Sequence, residues 1–292
     1  MAATPLPFAR EETGPAAGVV TITLESPGRP VVILNKELFE RLDATLDAIG
    51  ATAKGLVLAS ASERAFVAGA DLKEISSFND DALDDYLALG QRVMGRIAHM
   101  HCTTIAAING PTLGGGLELA LHCDMLVACL PNGGKDYMIG LPEATLGLCP
   151  GWGGASMLPA RMDPAEAIRL AASGKTVPIS FAREANLIEM LLDDPSKLLP
   201  TAKEMAASLL KEGAEREPRN IHEPEWREPT RDAIAHAQSQ LPKTKAAHAV
   251  VLSMKTCIDL GWEAAQGVER HLLIHLRKTP EARDAIQSFL SR

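Results

Sequence analysis

The 292-residue sequence predicts an α/β protein. Short apolar runs rich in β-branched residues alternate with longer segments whose apolar positions recur at helical spacing. Two glycine-rich loops stand where a strand hands over to a helix, the usual place for a site in such folds. From about residue 163 onward the pattern becomes predominantly helical.

The elements follow in order. GVVTITLE (18–25) alternates β-branched and other residues and reads as a strand. Asn35 then opens a helix, with Leu38, Leu42, Leu46 and Ile49 on one face and Gly50 at its stop. KGLVLAS (54–60) is a second strand, followed by the Gly-Ala loop RAFVAGADL (64–72). A helix over about 81–100 carries Leu83, Leu87, Val93 and Ile97 inward, and its acidic start at Asp80, Asp81, Asp84 and Asp85 suits the helix dipole. TTIAAIN (103–109) leads through GPTLGGG (110–116) into the helix LELALHC. DMLVACL (124–130) and YMIG (137–140) read as strands. Two helices are expected at 163–175 and 180–192, opened by Asp163 and Ser180. Residues 193–245 are charged and punctuated by proline, and read as an exposed connection. Residues 246–292 read as C-terminal helices broken at Pro280. The expected division is therefore a core over 1–192, a connection over 193–245 and a helical region over 246–292.

Composition removes several classes of function. Lys plus Arg total 29 against 37 Asp plus Glu, a net charge of −8, which disfavours a nucleic-acid partner. No apolar run approaches the roughly 20 residues of a membrane helix. The first residues, MAATPLPFAREE, read as neither a secretory signal nor a basic transit peptide, and the cysteine usage that follows fits a reducing, cytoplasmic compartment. Five cysteines, odd in number and never spaced C-x-x-C, fit buried free thiols rather than disulfides or zinc. His271 and His275 lie one helical turn apart but have no third ligand in view, so no metal is expected.

The candidate chemistry gathers at the loops. Gly114, Gly115 and Gly116 bare the backbone at a helix N-terminus, where amides can meet an oxyanion; a tight turn with close packing is the competing explanation. Glu118 follows within the first turn, where a dipole-favoured glutamate is also common. Glu143 has apolar, Gly/Pro-rich neighbours, which would raise its pKa if a pocket takes it in. The 65–71 loop offers further amides. Two amide donors and two carboxyls make a coherent set for stabilising an enolate-like thioester oxygen and moving protons.

AFVAGADLKEI (65–75), AAINGPTLGGGLELALHCDMLVA (106–128) and IGLPEATLGLCPGWGGASMLP (139–159), in that order and spacing, resemble the crotonase (enoyl-CoA hydratase/isomerase) superfamily. Further likeness lies at 166–188 and 281–290. The resemblance implies a spiral of ββα repeats followed by a C-terminal helical trimerisation region, with a homotrimer or hexamer as the assembly. It places an oxyanion hole on the amides of Ala70 and Gly115, and two hydratase glutamates on Glu118 and Glu143. It places the acyl-CoA thioester along Ala65, Phe66, Ala68, Gly69, Asp71, Leu72 and Lys73, with Gly114, Pro142 and Trp152 completing the substrate site. Coenzyme A is then part of the substrate, and no separate cofactor is implied. Retention of both glutamates favours hydration of an enoyl-CoA. A Δ3-Δ2 enoyl-CoA isomerase, an acyl-CoA hydrolase and a non-catalytic scaffold of the same fold are the alternatives. The sequence departs from the family at Ser156, where Thr-Gln is usual, and at its SFLSR end, where Lys-Arg is common. Its 193–245 and 261–276 segments are similar to the hydratase part of bifunctional fatty-acid oxidation subunits, and only that half is expected here.

Overall fold

A computed structural model describes residues 3–208 and 218–291. In chain order the elements are β1 (Phe8–Arg10), β2 (Val19–Leu24), α1 (Lys36–Ile49), β3 (Gly55–Ser60), α2 (Leu72–Ser77), α3 (Asp80–Ala98), β4 (Thr103–Ile108), β5 (Thr112–Leu113), α4 (Gly115–Leu121), β6 (Met125–Cys129) and β7 (Met138–Gly140). There follow α5 (Gly154–Met157), α6 (Pro164–Ser173), β8 (Val177–Pro178), α7 (Ile179–Glu184), β9 (Met190–Leu192), α8 (Leu198–Ser208), α9 (Pro224–Ala237), α10 (Lys245–Leu260), α11 (Trp262–Leu276) and α12 (Pro280–Leu290).

A six-stranded sheet runs in the order β1-β2-β3-β4-β6-β9. Every pairing in it is parallel except the antiparallel edge pair β1–β2. Val20 stands beside Leu56, Leu56 beside Thr104, and Ala106 beside Leu126. A smaller sheet, β5-β7-β8, carries the glycine loop at one end. Alternate residues of the parallel strands face opposite sides, and both sides are apolar, so both must be covered. Leu56, Leu58, Ala106 and Ile108 join the main core with α1 and α3. Val57, Ile105, Ala107 and Val127 face a second cluster completed by Leu198, Ala202 and Ala206 of α8.

That second face corrects the reading of 193–245 as an exposed connection. The segment holds α8, which packs on β3 and β4, and α9, which packs on α6. Residues 209–217 of the stretch lie outside the described residues. The sequence shows charge and proline there; the cause of the order is the uncovered strand face, a long-range demand. Gly55 marks the contact, since a Cβ there would fall 2.6 Å from the Ala206 carbonyl oxygen.

A second correction concerns 180–192. The helix α7 stops at Glu184, Asn186 takes a positive φ of 63°, and Met190–Leu192 become a strand beside β6. Ser180 does not cap α7; its hydroxyl donates to Asp136. The Asn35 and Asp163 caps form as expected, accepting from the amides of Leu38 and Glu166. All five cysteines are buried, and none forms a disulfide among the described residues. Among the described residues, no helix is long and apolar enough to cross a membrane.

Candidate active site

A cavity of about 740 Å³ opens between the two glycine loops, the Pro142–Leu146 turn and the C-terminal helices. Gly69 and Ala70 enter it from one side, Gly114 and Gly115 from another, and Glu118 and Glu143 both line it.

The geometry of the first loop is set by a short chain of bonds. Leu34 donates to the Gly69 carbonyl at 2.9 Å and accepts from the Asp71 amide at 3.0 Å. The intervening Ala70 amide has no protein acceptor among the described residues. Gly69 permits this turn because its φ is 114°. Asp71 then caps α2, accepting from the amides of Lys73 and Glu74 at 2.9 and 3.3 Å. Its other oxygen binds Arg29 at 2.8 Å. Burial alone would raise the Asp71 carboxyl, but Arg29 and the two amides outweigh it and hold it below its ordinary value.

The second loop delivers Gly115 as the first residue of α4. A first-turn amide has no partner within its own helix, so it is available to a ligand. No larger residue fits here: a Cβ on Gly115 would lie 2.3 Å from Trp152 Cζ3, and one on Gly116 would lie 2.3 Å from the Val67 carbonyl oxygen.

Glu118 is 1% exposed, yet its carboxyl is well bonded. Oε1 accepts from the Trp152 amide at 2.8 Å and the Gly154 amide at 2.9 Å. Burial raises its pKa to about 7, with the loop amides pulling the other way. Glu143 has a buried Oε2 without a protein partner among the described residues. Burial, followed by the nearby Glu118 charge, raises its pKa to about 8. Its Oε1 lies over Gly114, where a Cβ would fall 2.7 Å away.

Of the expected substrate-site residues, Ala68, Gly69, Asp71, Leu72, Lys73, Gly114, Pro142 and Trp152 line the cavity. Ala65 and Phe66 do not. Both are buried, and Phe66 donates its amide to Pro111, so the strand-like start of that loop packs into the core instead of facing the cavity. Trp152 contributes a wall and not a stacking platform: it is 2% exposed, its indole N–H donates to the Leu87 carbonyl at 3.1 Å, and Phe39 and Tyr86 meet it edge-on.

Other contributors escaped the sequence. Arg29 reaches the cavity from the turn after β2, while Leu273, Phe289 and Leu290 arrive from α11 and α12. Glu269, also from α11, is buried behind the site and accepts from the Gly153 amide at 2.7 Å. Its signal is visible in retrospect: Ala265, Glu269 and Leu273 share one helical face, and the flanking two are buried.

The parallel sheet, glycine loops and C-terminal helices define a crotonase-like fold, and solved structures bear this out. An enoyl-CoA hydratase from Bacillus anthracis superposes with a TM-score of 0.60 at 26% identity, covering 94% of this chain and 93% of that one. A structure from Mycobacterium avium paratuberculosis, at 23% identity and a TM-score of 0.65, shares the fold over 98% of this chain and 96% of the other. A sequence model of the family described as enoyl-CoA hydratase/isomerase matches residues 14–220, and the chain belongs to that family. Among curated relatives, a Bacillus subtilis protein named "Probable enoyl-CoA hydratase" is 34% identical over 206 residues, 70% of this chain and 75% of its own length. The fatty acid oxidation complex subunit alpha of Idiomarina loihiensis is 29% identical over 94% of this chain but only 40% of its own length.

Proposed function

We propose that this chain is an enoyl-CoA hydratase, adding water across the C2=C3 double bond of an enoyl-CoA thioester. The observation that carries the reading is a pair of carboxyls, the buried Glu118 and the half-buried Glu143, lining one cavity with their pKa values raised toward neutrality. Such a pair holds about one proton between its members near neutral pH. One member can then accept a proton while the other gives one.

The division of labour follows from the bonding. Two amides donate to Glu118 and favour its charged form. Glu143 has a buried oxygen with no partner among the described residues and a charged neighbour, which favour its neutral form. Glu118 therefore takes a proton from water as the water oxygen bonds to C3. The C2=C3 electrons shift toward the thioester carbonyl, whose oxygen is held by the amides of Ala70 and Gly115. Glu143 delivers its proton to C2, and the carbonyl re-forms. Net addition is one H and one OH; proton exchange with solvent resets the pair. Each amide is worth about 10²–10³ in turnover where it meets developing charge.

Coenzyme A enters as part of the substrate, and the reading invokes no further cofactor. Lys73 and Arg29 at the cavity support a phosphate-bearing ligand. A homotrimer or hexamer belongs to the same proposal; the exposed Met138, Leu252 and Leu260 support burial of those faces against further copies, and sedimentation tests it.

The deciding experiment follows the loss of enoyl-thioester absorbance with a short 2-enoyl-CoA in wild type, Glu118→Gln and Glu143→Gln. Both variants should lose most turnover while still binding substrate. Near-normal turnover in either one overturns the two-carboxyl account. Conversion of a 3-enoyl-CoA without hydration would identify an isomerase instead, and release of free thiol a hydrolase.

A further inference from the structure

A third carboxyl stands behind the site and has no part in the proton transfers above. Glu269 is 1% exposed in the middle of α11. Its Oε2 accepts from the Gly153 amide at 2.7 Å, and its Oε1 has no partner among the described residues. The amides on either side, of Trp152 and Gly154, go to Glu118. Three successive amides are thus shared alternately between two glutamates on two helices. The strap between them has no slack. A Cβ on Gly153 would lie 2.1 Å from Trp262 Cη2, and one on Gly154 would lie 2.8 Å from Glu118 Cγ.

We propose that Glu269 is a positioning residue of this site: it fixes the Gly151–Ala155 strap from behind, and the strap fixes the Glu118 carboxyl. The proposal rests on the hydratase reading for its kinetic consequence, though not for its structural one. Glu269 acts as the neutral acid. The ionisable groups facing it are the buried Glu118 from α4, the half-buried Glu143 from the 142–146 turn and the buried Cys149, all acidic. No described cation pairs with it; its neighbour Arg270 is committed to Asp84 and Gln91. The His122 ring, packed on Trp262, is kept neutral by burial. Burial, followed by the Glu118 charge, pushes the Glu269 carboxyl well up. A neutral carboxyl can brace the strap without adding a fixed negative charge that would make Glu118 a poorer acid.

The test uses the whole chain as wild type, Glu269→Gln and Glu269→Leu. Glu118 is titrated in the absence of ligand by NMR of ¹³C-labelled glutamate side chains, its signal assigned by its loss in Glu118→Gln. In parallel, kcat and KM are measured against pH with a short 2-enoyl-CoA. Glu269→Gln keeps an acceptor without charge, so the Glu118 midpoint and the pH profile should stay in place and kcat should remain near wild type. Glu269→Leu removes the acceptor; kcat should fall about 10²-fold with KM little changed, as for a misplaced catalytic group. The Glu118 midpoint should rise in that variant as its amide bonds slacken. A downward shift of the midpoint in Glu269→Gln would show that Glu269 carries charge, and would overturn the proposal. An unmoved midpoint and kcat in Glu269→Leu would overturn it equally. If the leucine variant does not fold, the glutamine result decides alone. If wild type hydrates nothing, the hydratase reading fails while the titration still judges the strap.

Discussion

The Tyr86 hydroxyl donates to the Leu34 carbonyl at 2.8 Å, joining α3 to the stretch before α1 across 52 residues of sequence. Leu34 is also the residue that holds Gly69 and Asp71 on either side of Ala70. A core tyrosine therefore braces one of the two amides proposed to bind the thioester oxygen.

Tyr86→Phe should keep the ring packing against Phe39 and Trp152 and remove only this bond. Leu34 still accepts from Asp71, so its carbonyl is not orphaned, and the stability loss should be about 0.5–1.5 kcal/mol. Calorimetry should show a melting temperature lowered by a few degrees. Turnover of an enoyl-CoA should fall more than substrate affinity, because Ala70 becomes less well placed. An unchanged kcat would show that Leu34 holds the loop without help from Tyr86.

Gly115→Ala should be far more damaging at the site. The added methyl meets Trp152 Cζ3 at 2.3 Å and Leu34 Cδ1 at 3.1 Å, and neither neighbour has room to yield. Either the indole leaves its bond to Leu87 or α4 shifts and carries the Gly115 amide with it. Overpacking of this kind costs about 1–3 kcal/mol. The displaced amide should reduce turnover about 10²–10³-fold. Unfolding curves and single-turnover hydration, measured on the same preparation, separate the two losses.

The local elements of this fold can be read from the sequence because their causes are local. Asn35 and Asp163 cap helices through bonds three residues long. The glycine loop at 114–116 and Glu118 stand out for the same reason, as residue types set at fixed spacing around a helix start, and Glu143 stands out by its apolar, Gly/Pro-rich neighbours. What escapes is decided by distant partners. Met190–Leu192 become a strand because β6 offers an open edge, and α8 forms on a strand face that the sequence leaves uncovered. Glu269 looks like one polar position on an amphipathic helix; its burial depends on where α11 crosses the strap.

The raised carboxyls make stability depend on pH in a definite sense. Glu118 rises from 4.5 to about 7 and Glu143 from 4.5 to about 8 on folding. Between those limits the native state binds more protons than the unfolded chain, so stability falls as pH rises. The cost is absent below the unfolded value and complete above the folded one. For Glu118 it is on the order of 3 kcal/mol. Wild type should lose stability from about pH 5 to pH 8, and Glu118→Gln combined with Glu143→Gln should lose less, as melting temperatures across that range will show. Activity should follow a bell through the same region, because hydration needs one carboxyl charged and the other protonated. A wild-type melting temperature that rises through this range, with no such rise in the double variant, would contradict the burial of both groups.

Gly55→Ala separates stability from chemistry. Its methyl would point away from the cavity, 2.6 Å from the Ala206 carbonyl oxygen and 2.8 Å from Ala206 Cβ. The obstruction is helix backbone, which cannot rotate aside as a flexible side chain would, so α8 must lift from β3. Its other contacts with the sheet, through Leu198 and Ala202, would then loosen. The expected loss is about 1–3 kcal/mol, read as an earlier urea midpoint. The residues around the cavity belong to the opposite face, and kcat per folded molecule should not change. A fall in kcat at full folding would mean that the two faces of the sheet are coupled, with α8 helping to hold β4 and, through it, the loop that carries Gly115.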